Sequence, residues 1–247
     1  MNSDAANIKS LTPGHQMENF TLIDQLAFIY FLIVCIGYEY LTQHSRWIKK
    51  NISTSVQIER RQWMQVMSQR ENRLIDMMVL TNLSQGNAFF ASTAIIIIGV
   101  LAALLGASDQ LHHSISKLPF AANTSTDIFS LKIIFLLIIF VVTFFKFAWA
   151  FRLSHYTSIM IGATPLANKE NKKHQQKSSR YAERVATVAG LAGRHANAGL
   201  RTYYYGIAAS GWFINPVVFM IATTFVIAVL YRREYFSNAH RVISKQI

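Results

Sequence analysis

The sequence predicts an all-α, polytopic membrane protein with four transmembrane helices and two cytoplasmic helices. Three observations carry that prediction. Hydrophobic residues make up 52% of the 247 and charged residues only 15%. The apolar residues gather into long runs instead of recurring at core spacing. The basic residues, which bring the formal net charge to +12, are concentrated between particular runs. A hydrocarbon layer of about 30 Å is spanned by about 20 helical residues, and this length test selects the runs.

The first span covers about 21–41, TLIDQLAFIYFLIVCIGYEYL, with Asp24 and Glu39 near its ends. It is too long for a cleavable signal and lacks both a basic leading segment and a small-residue cleavage site. Cys35 stands alone within it, which rules out a disulfide framework and reads as a small buried hydrophobe. Residues 56–80 contain neither Pro nor Gly, and Trp63, Met67, Leu74 and Met78 recur at helical spacing. They form the first cytoplasmic helix, on which Arg73 and Asp76 are three apart and suited to pairing. The second span, 88–107, is AFFASTAIIIIGVLAALLGA, without a charge; Gly99, Ala103 and Ala107 share a face suited to close packing. The third, 129–151, contains Lys132 and Lys146.

Residues 165–180, PLANKENKKHQQKSSR, read as a mobile polar linker opened by a Pro. The second cytoplasmic helix, 181–204, repeats small residues every four positions at Ala182, Ala186 and Gly190. Each glycine costs a helix about 1 kcal/mol relative to alanine, so close approach to a neighbour must compensate. The fourth span, 207–231, contains Asn215-Pro216. Proline there removes one donor and disturbs the carbonyl of Trp212, giving a kink, with a hinge or pathway-lining carbonyl as the alternative.

Charge sets the orientation. Residues 42–87 hold seven Lys and Arg and residues 152–206 nine, against one before the first span, one in 108–128 and four from 232 onward. The positive-inside bias places both large loops in the cytoplasm and both termini outside, in the cell (inner) membrane. The Arg232-Arg233 pair runs against that arrangement. Basic loops facing an anionic leaflet point to anionic phospholipid as a partner, and not to nucleic acid.

Lys132 and Lys146 lie fourteen residues apart, about 21 Å along a helix, so snorkelling towards opposite interfaces accounts for both. The alternative is an inner-leaflet polar layer in which Glu39 pairs with Lys146, joined by Asn82, Gln85, Asn87 and Ser210. A second constellation, Glu71, Asn72, Arg73 and Asp76 with Arg194, His195 and Asn197, reads as a satisfied helix–helix interface or a polar cytoplasmic pocket. Asp109, His112 and His113 share a face but have no fourth ligand at a recognisable spacing, and no histidines face each other inside the bundle. No metal and no cofactor is expected. G-x-S-x-G, H-E-x-x-H and glycine-rich phosphate loops are missing, so catalysis has no motif to rest on.

The segments RENRLIDMMVLTNLSQGNAFFASTAIIIIGVLAALLGA, FKFAWAFRLSHYTSIMIGATP, GRHANAGLRTYYYGIAA and LYRREYFSNA resemble, in this order, an integral membrane family of bacteria and plants known as domain of unknown function 599. The resemblance covers about residues 20–240. It implies a polytopic membrane protein and supplies no reaction, ligand or catalytic residue. The composition favours a non-enzymatic adaptor or scaffold that binds anionic lipid and a protein partner. A small homo-oligomeric transporter or channel subunit using Glu39, Lys146 and Pro216 is the alternative, and a membrane-embedded enzyme comes third.

Overall fold

The computed structural model describes residues 22–44, 52–115, 125–167 and 171–244. All regular elements among them are helical: α1 (Leu22–His44), α2 (Ile52–Met67), α3 (Leu74–Gly106), α4 (Ser108–Ile115), α5 (Thr126–Gly162), α6 (Lys172–Ser210), α7 (Pro216–Tyr235) and α8 (Asn238–Ser244). Four of them, α1, α3, α5 and α7, are long and apolar enough to cross a membrane. They turn large apolar side chains outward, among them Ile33, Ile96, Phe145 and Phe225, as a lipid environment requires.

Helix boundaries follow local chemistry. Ser125 caps α5 by accepting from the Ile128 N–H. Asn215 caps α7 by accepting from Val218 N–H at 2.8 Å, and Pro216 is the first helical residue. Proline is well placed there, because that N–H has no helical partner to lose. The expected mid-span kink is therefore a helix start. The expected fourth span, 207–231, is divided between the end of α6, a 3-10 turn at Gly211–Phe213 and α7.

Two further expectations are corrected. The helix expected over 56–80 breaks between α2 and α3, and beside the break the Arg73 guanidinium donates to the carbonyls of Ile161 and Thr164 at the end of α5. The linker expected over 165–180 is helical from Lys172 onward, started by Asn171, whose side chain accepts from the N–H groups of Lys173 and His174. Polarity alone does not prevent a helix when its N-terminus is capped and a later apolar face packs.

Contacts define the directions of the helices. Along α6, Arg201 meets Glu39, Tyr205 meets Phe31 and Trp212 meets Asp24, so α6 runs antiparallel to α1. It also runs antiparallel to α5, from Lys146 beside Thr202 to Lys132 beside Trp212. Tyr30 bonds Thr224 and Tyr38 donates to Glu234, so α7 runs parallel to α1. The end of α6 and the 3-10 turn that follows it thus reach the level of Asp24, in the first turn of α1.

A core of Phe31, Phe129, Ile133, Phe140, Tyr205, Trp212 and Phe219 fills the bundle. A second core, with Met64, Met67, Ile161, Val185 and Ala186, joins α2, α5 and α6 below it. The glycines of α6 receive side chains: a Cβ at Gly199 would lie 2.8 Å from the Phe147 ring, and one at Gly206 2.8 Å from Phe140. Close approach is thus realised, by aromatic rings against a helix backbone. On α3 the expectation fails. Gly99, Ala103 and Ala107 are exposed, and a Cβ at Gly99 would meet nothing within 4 Å.

Candidate functional site

Two polar levels cross the bundle. At the first, Lys132 Nζ lies 3.4 Å from Asp24 Oδ1 and donates to the Trp212 carbonyl at 3.2 Å. Trp212 Nε1 donates to the same Asp24 oxygen at 2.8 Å. Both charged side chains are buried, at 2% and 1% exposure, so Lys132 does not snorkel. A charge enclosed by rings is tolerable only when paired and hydrogen-bonded, and this one is.

At the second level the expected Glu39–Lys146 pair is replaced. Arg201 grips Glu39 with two bonds, Nε to Oε2 at 2.8 Å and an Nη to Oε1 at 3.1 Å. Lys146 sits one residue along, donating to Thr202 Oγ1 at 2.7 Å. A planar guanidinium meets a carboxylate with two parallel bonds, which an ammonium cannot do. Glu234 joins this level, accepting from Tyr38 and Ser53, while Asn197 donates to Ser53 at 3.1 Å. Asn82 and Gln85 point away on the exposed side of α3, Asn87 is half-buried there, and Ser210 is exposed on α6. None of the four bonds this layer.

The second expected constellation is divided. Asp76 is buried and receives Trp63 Nε1 and Arg70, each at 2.7 Å, so its cation is Arg70 and not Arg73. Glu71 and Asn72 are exposed, and Asn72 accepts from the Leu74 N–H. Antiparallel packing of α2 on α6, with Gln65 against Ser179 and Ser53 against Asn197, keeps that turn far from Arg194, His195 and Asn197. The separation along α6 is about 20 Å. On α4, Asp109 and His113 are exposed and His112 packs on Phe129.

Arg194, His195 and Asn197 instead line a cavity of about 560 Å³ between α2, α6 and the end of α7. Ser53, Gln57, Arg60 and Arg61 face them from α2, with Arg201 and Glu234 also in its wall. The Arg60 guanidinium lies over Gly193, and Gln57 lies over Gly190 while donating to Ala186 O at 3.0 Å. Arg61 pairs with Glu183 at 2.9 Å. Arg60 and Arg194 have no such partner among the described residues. Burial, and then the facing Arg194, hold Arg60 below its ordinary pKa. Burial, Arg194 and Lys146 likewise lower that of His195, whose ring stands edge-on to Trp149.

A profile of the family described as "Protein of unknown function, DUF599" matches residues 26–239. The chain belongs to the DUF599 family. Neither a curated protein nor a solved structure matches it. The DUF599 match covers Glu39, Lys132, Lys146, Trp212, Glu234 and the cavity, and begins two residues after Asp24. Arg60, Arg201, Thr202 and Glu234 are among the residues that sequence reasoning did not single out. The signal for Arg201 was present in Gly199 and Gly206, seven apart on α6, matching Phe147 and Phe140, seven apart on α5.

Proposed function

We propose that this chain is a non-enzymatic membrane adaptor that crosses the bilayer five times and seats a basic helical layer on the anionic cytoplasmic leaflet. The fifth crossing is the second half of α6, about 198–213, which lies between the two polar levels in antiparallel contact with α1 and α5. It was invisible to hydropathy because Arg201, Thr202 and three tyrosines face the bundle and not lipid.

The observation that carries the reading is the parallel run of α1 and α7. It puts the α7 end, with Arg232 and Arg233, at the same face as the loops between the earlier spans. Nineteen basic residues then lie on the cytoplasmic side (seven in 42–87, eight in 152–197, four from 232) and two outside. The Arg232-Arg233 pair, discordant with four spans, agrees with five. The first turns of α3 carry an exposed apolar face, Leu74, Ile75, Met78 and Val79, more than ten residues before the Phe90–Phe147 contact. That face favours a protein partner on the cytoplasmic side. Transport is disfavoured because Phe31, Phe135, Phe140, Tyr205 and Phe219 pack the space between the polar levels.

Co-extraction of the protein with its surrounding lipid in polymer-bounded particles tests the reading. Each basic residue near an anionic surface contributes about 1 kcal/mol. The expected result is enrichment of anionic phospholipid over the bulk membrane, reduced when the exposed Arg152, Arg232 and Arg241 are changed to Gln. A bulk-like lipid composition around the unmodified protein contradicts it.

A further inference from the structure

The cavity at the cytoplasmic end of the bundle holds more positive charge than its structure uses. Three acids adjoin it, and each is engaged. Glu39 is held by Arg201, Glu183 by Arg61, and Glu234 accepts from Tyr38 and Ser53. Arg60 and Arg194, by contrast, are not ion-paired or hydrogen-bonded among the described residues; Arg60 is half-buried and Arg194 is exposed at the cavity mouth. A half-buried charge without a counter-ion is unfavourable, and a like charge facing it adds to that.

The placement of the Arg60 guanidinium nevertheless depends on a glycine. Its guanidinium lies on the α6 backbone at Gly193, where a Cβ would come within 2.5 Å of Nη2. Any residue but glycine there would push the guanidinium aside. Arg194 follows Gly193 directly and lines the same cavity. Two guanidinium groups, from α2 and from α6, border one cavity, and each has the fork geometry that binds phosphate oxygens. A volume of about 560 Å³ also leaves room for the small group that carries the phosphate.

We propose that this cavity binds a phosphate monoester between Arg60 and Arg194, carried by a lipid headgroup or by a small soluble molecule. The inference names the ligand chemistry within the adaptor reading, and only its lipid source depends on the bilayer position argued above.

The test uses the full chain and its thermal unfolding midpoint, in two arms. In zwitterionic detergent, inorganic phosphate and glycerol 3-phosphate are titrated against sodium chloride at matched ionic strength. In phosphatidylcholine nanodiscs, added phosphatidic acid, whose headgroup is a phosphate monoester, is compared with phosphatidylglycerol, whose phosphate is a diester. Stabilisation by the soluble probes assigns a soluble ligand. Stabilisation only by phosphatidic acid, beyond phosphatidylglycerol, assigns a lipid headgroup.

In either case Arg60→Gln and Arg194→Gln should each weaken the apparent affinity about ten-fold or more, as expected for loss of a charge-assisted hydrogen bond. Lys173→Gln, on the exposed start of α6, should leave it unchanged. Gly193→Ala keeps every charge and displaces only the Arg60 guanidinium, so it must weaken binding as well; it replaces Arg60→Gln should that variant not fold. The proposal is overturned if neither arm stabilises the unmodified protein beyond its control. It is equally overturned if the arginine or Gly193 variants keep the full shift.

Discussion

Removing the Lys132 ammonium should be among the most destabilising single changes in the chain. At 3.4 Å and an effective dielectric constant of about 20, its attraction to Asp24 is about 5 kcal/mol. Lys132→Met keeps most of the side-chain volume but leaves the buried carboxylate without its cation, while Trp212 Nε1 still donates to it. Breaking a buried pair in this way costs about 3–5 kcal/mol. Asp24→Asn alone should cost less, because an amide still accepts from Trp212 Nε1. The double variant Asp24→Asn with Lys132→Met removes both charges together, and should recover at least half of the loss caused by Lys132→Met. The assay is equilibrium unfolding in mixed micelles, followed by tryptophan fluorescence, which Trp212 reports from within the cluster. If Lys132→Met lies within about 0.5 kcal/mol of the unmodified protein, or the double variant is no better than the single, the ion pair does not stabilise the bundle as reasoned.

Further predictions concern α6 and its neighbours. Gly199→Ala and Gly206→Ala each drive a Cβ into a buried phenylalanine ring and should cost about 1–3 kcal/mol, whereas Gly99→Ala, which meets open space, should be neutral or slightly stabilising; the same unfolding assay ranks them. His195 has its folded-state pKa lowered, so the unfolded chain binds its proton first as the pH falls. Its contribution is therefore complete above the unfolded value of about 6.5 and lost as the pH drops towards the folded pKa. His195→Gln should flatten the decline of the unfolding midpoint below that pH, and an unchanged decline would assign it to other groups.

Length and apolarity made the spans legible: α1, α3 and α5 hold the first three runs that the sequence offered, and α7 the second part of the fourth. Helix ends were harder to place, because they depend on caps. Asn215 turns what looks like one proline-interrupted span into a turn and a new helix, and Asn171 starts a helix within a lysine-rich stretch. The half of α6 that we propose as a crossing escaped because residues buried in a bundle need satisfied partners, not hydropathy. Arg201 finds Glu39, and the tyrosines pack among aromatic rings. The polar layer was anticipated through Glu39 and Lys146, but the pairing was not, because the register of α6 against α1 decides it. The cavity was half legible. Arg194, His195 and Asn197 belong to it, while Glu71 to Asp76 close a different turn, since antiparallel α2 and α6 bring Arg60 and not Arg73 to their side.

The most direct test of the five-crossing arrangement is labelling of single cysteines by a membrane-impermeant maleimide, with Cys35→Ser as background. Ser114 on α4, Ser179 on α6 and Ala239 on α8 are exposed positions for Cys replacement. The account predicts that A239C reacts from the same side of the membrane as S179C, and S114C from the opposite side. Reaction of A239C from the side of S114C would contradict it and restore a bundle with four crossings.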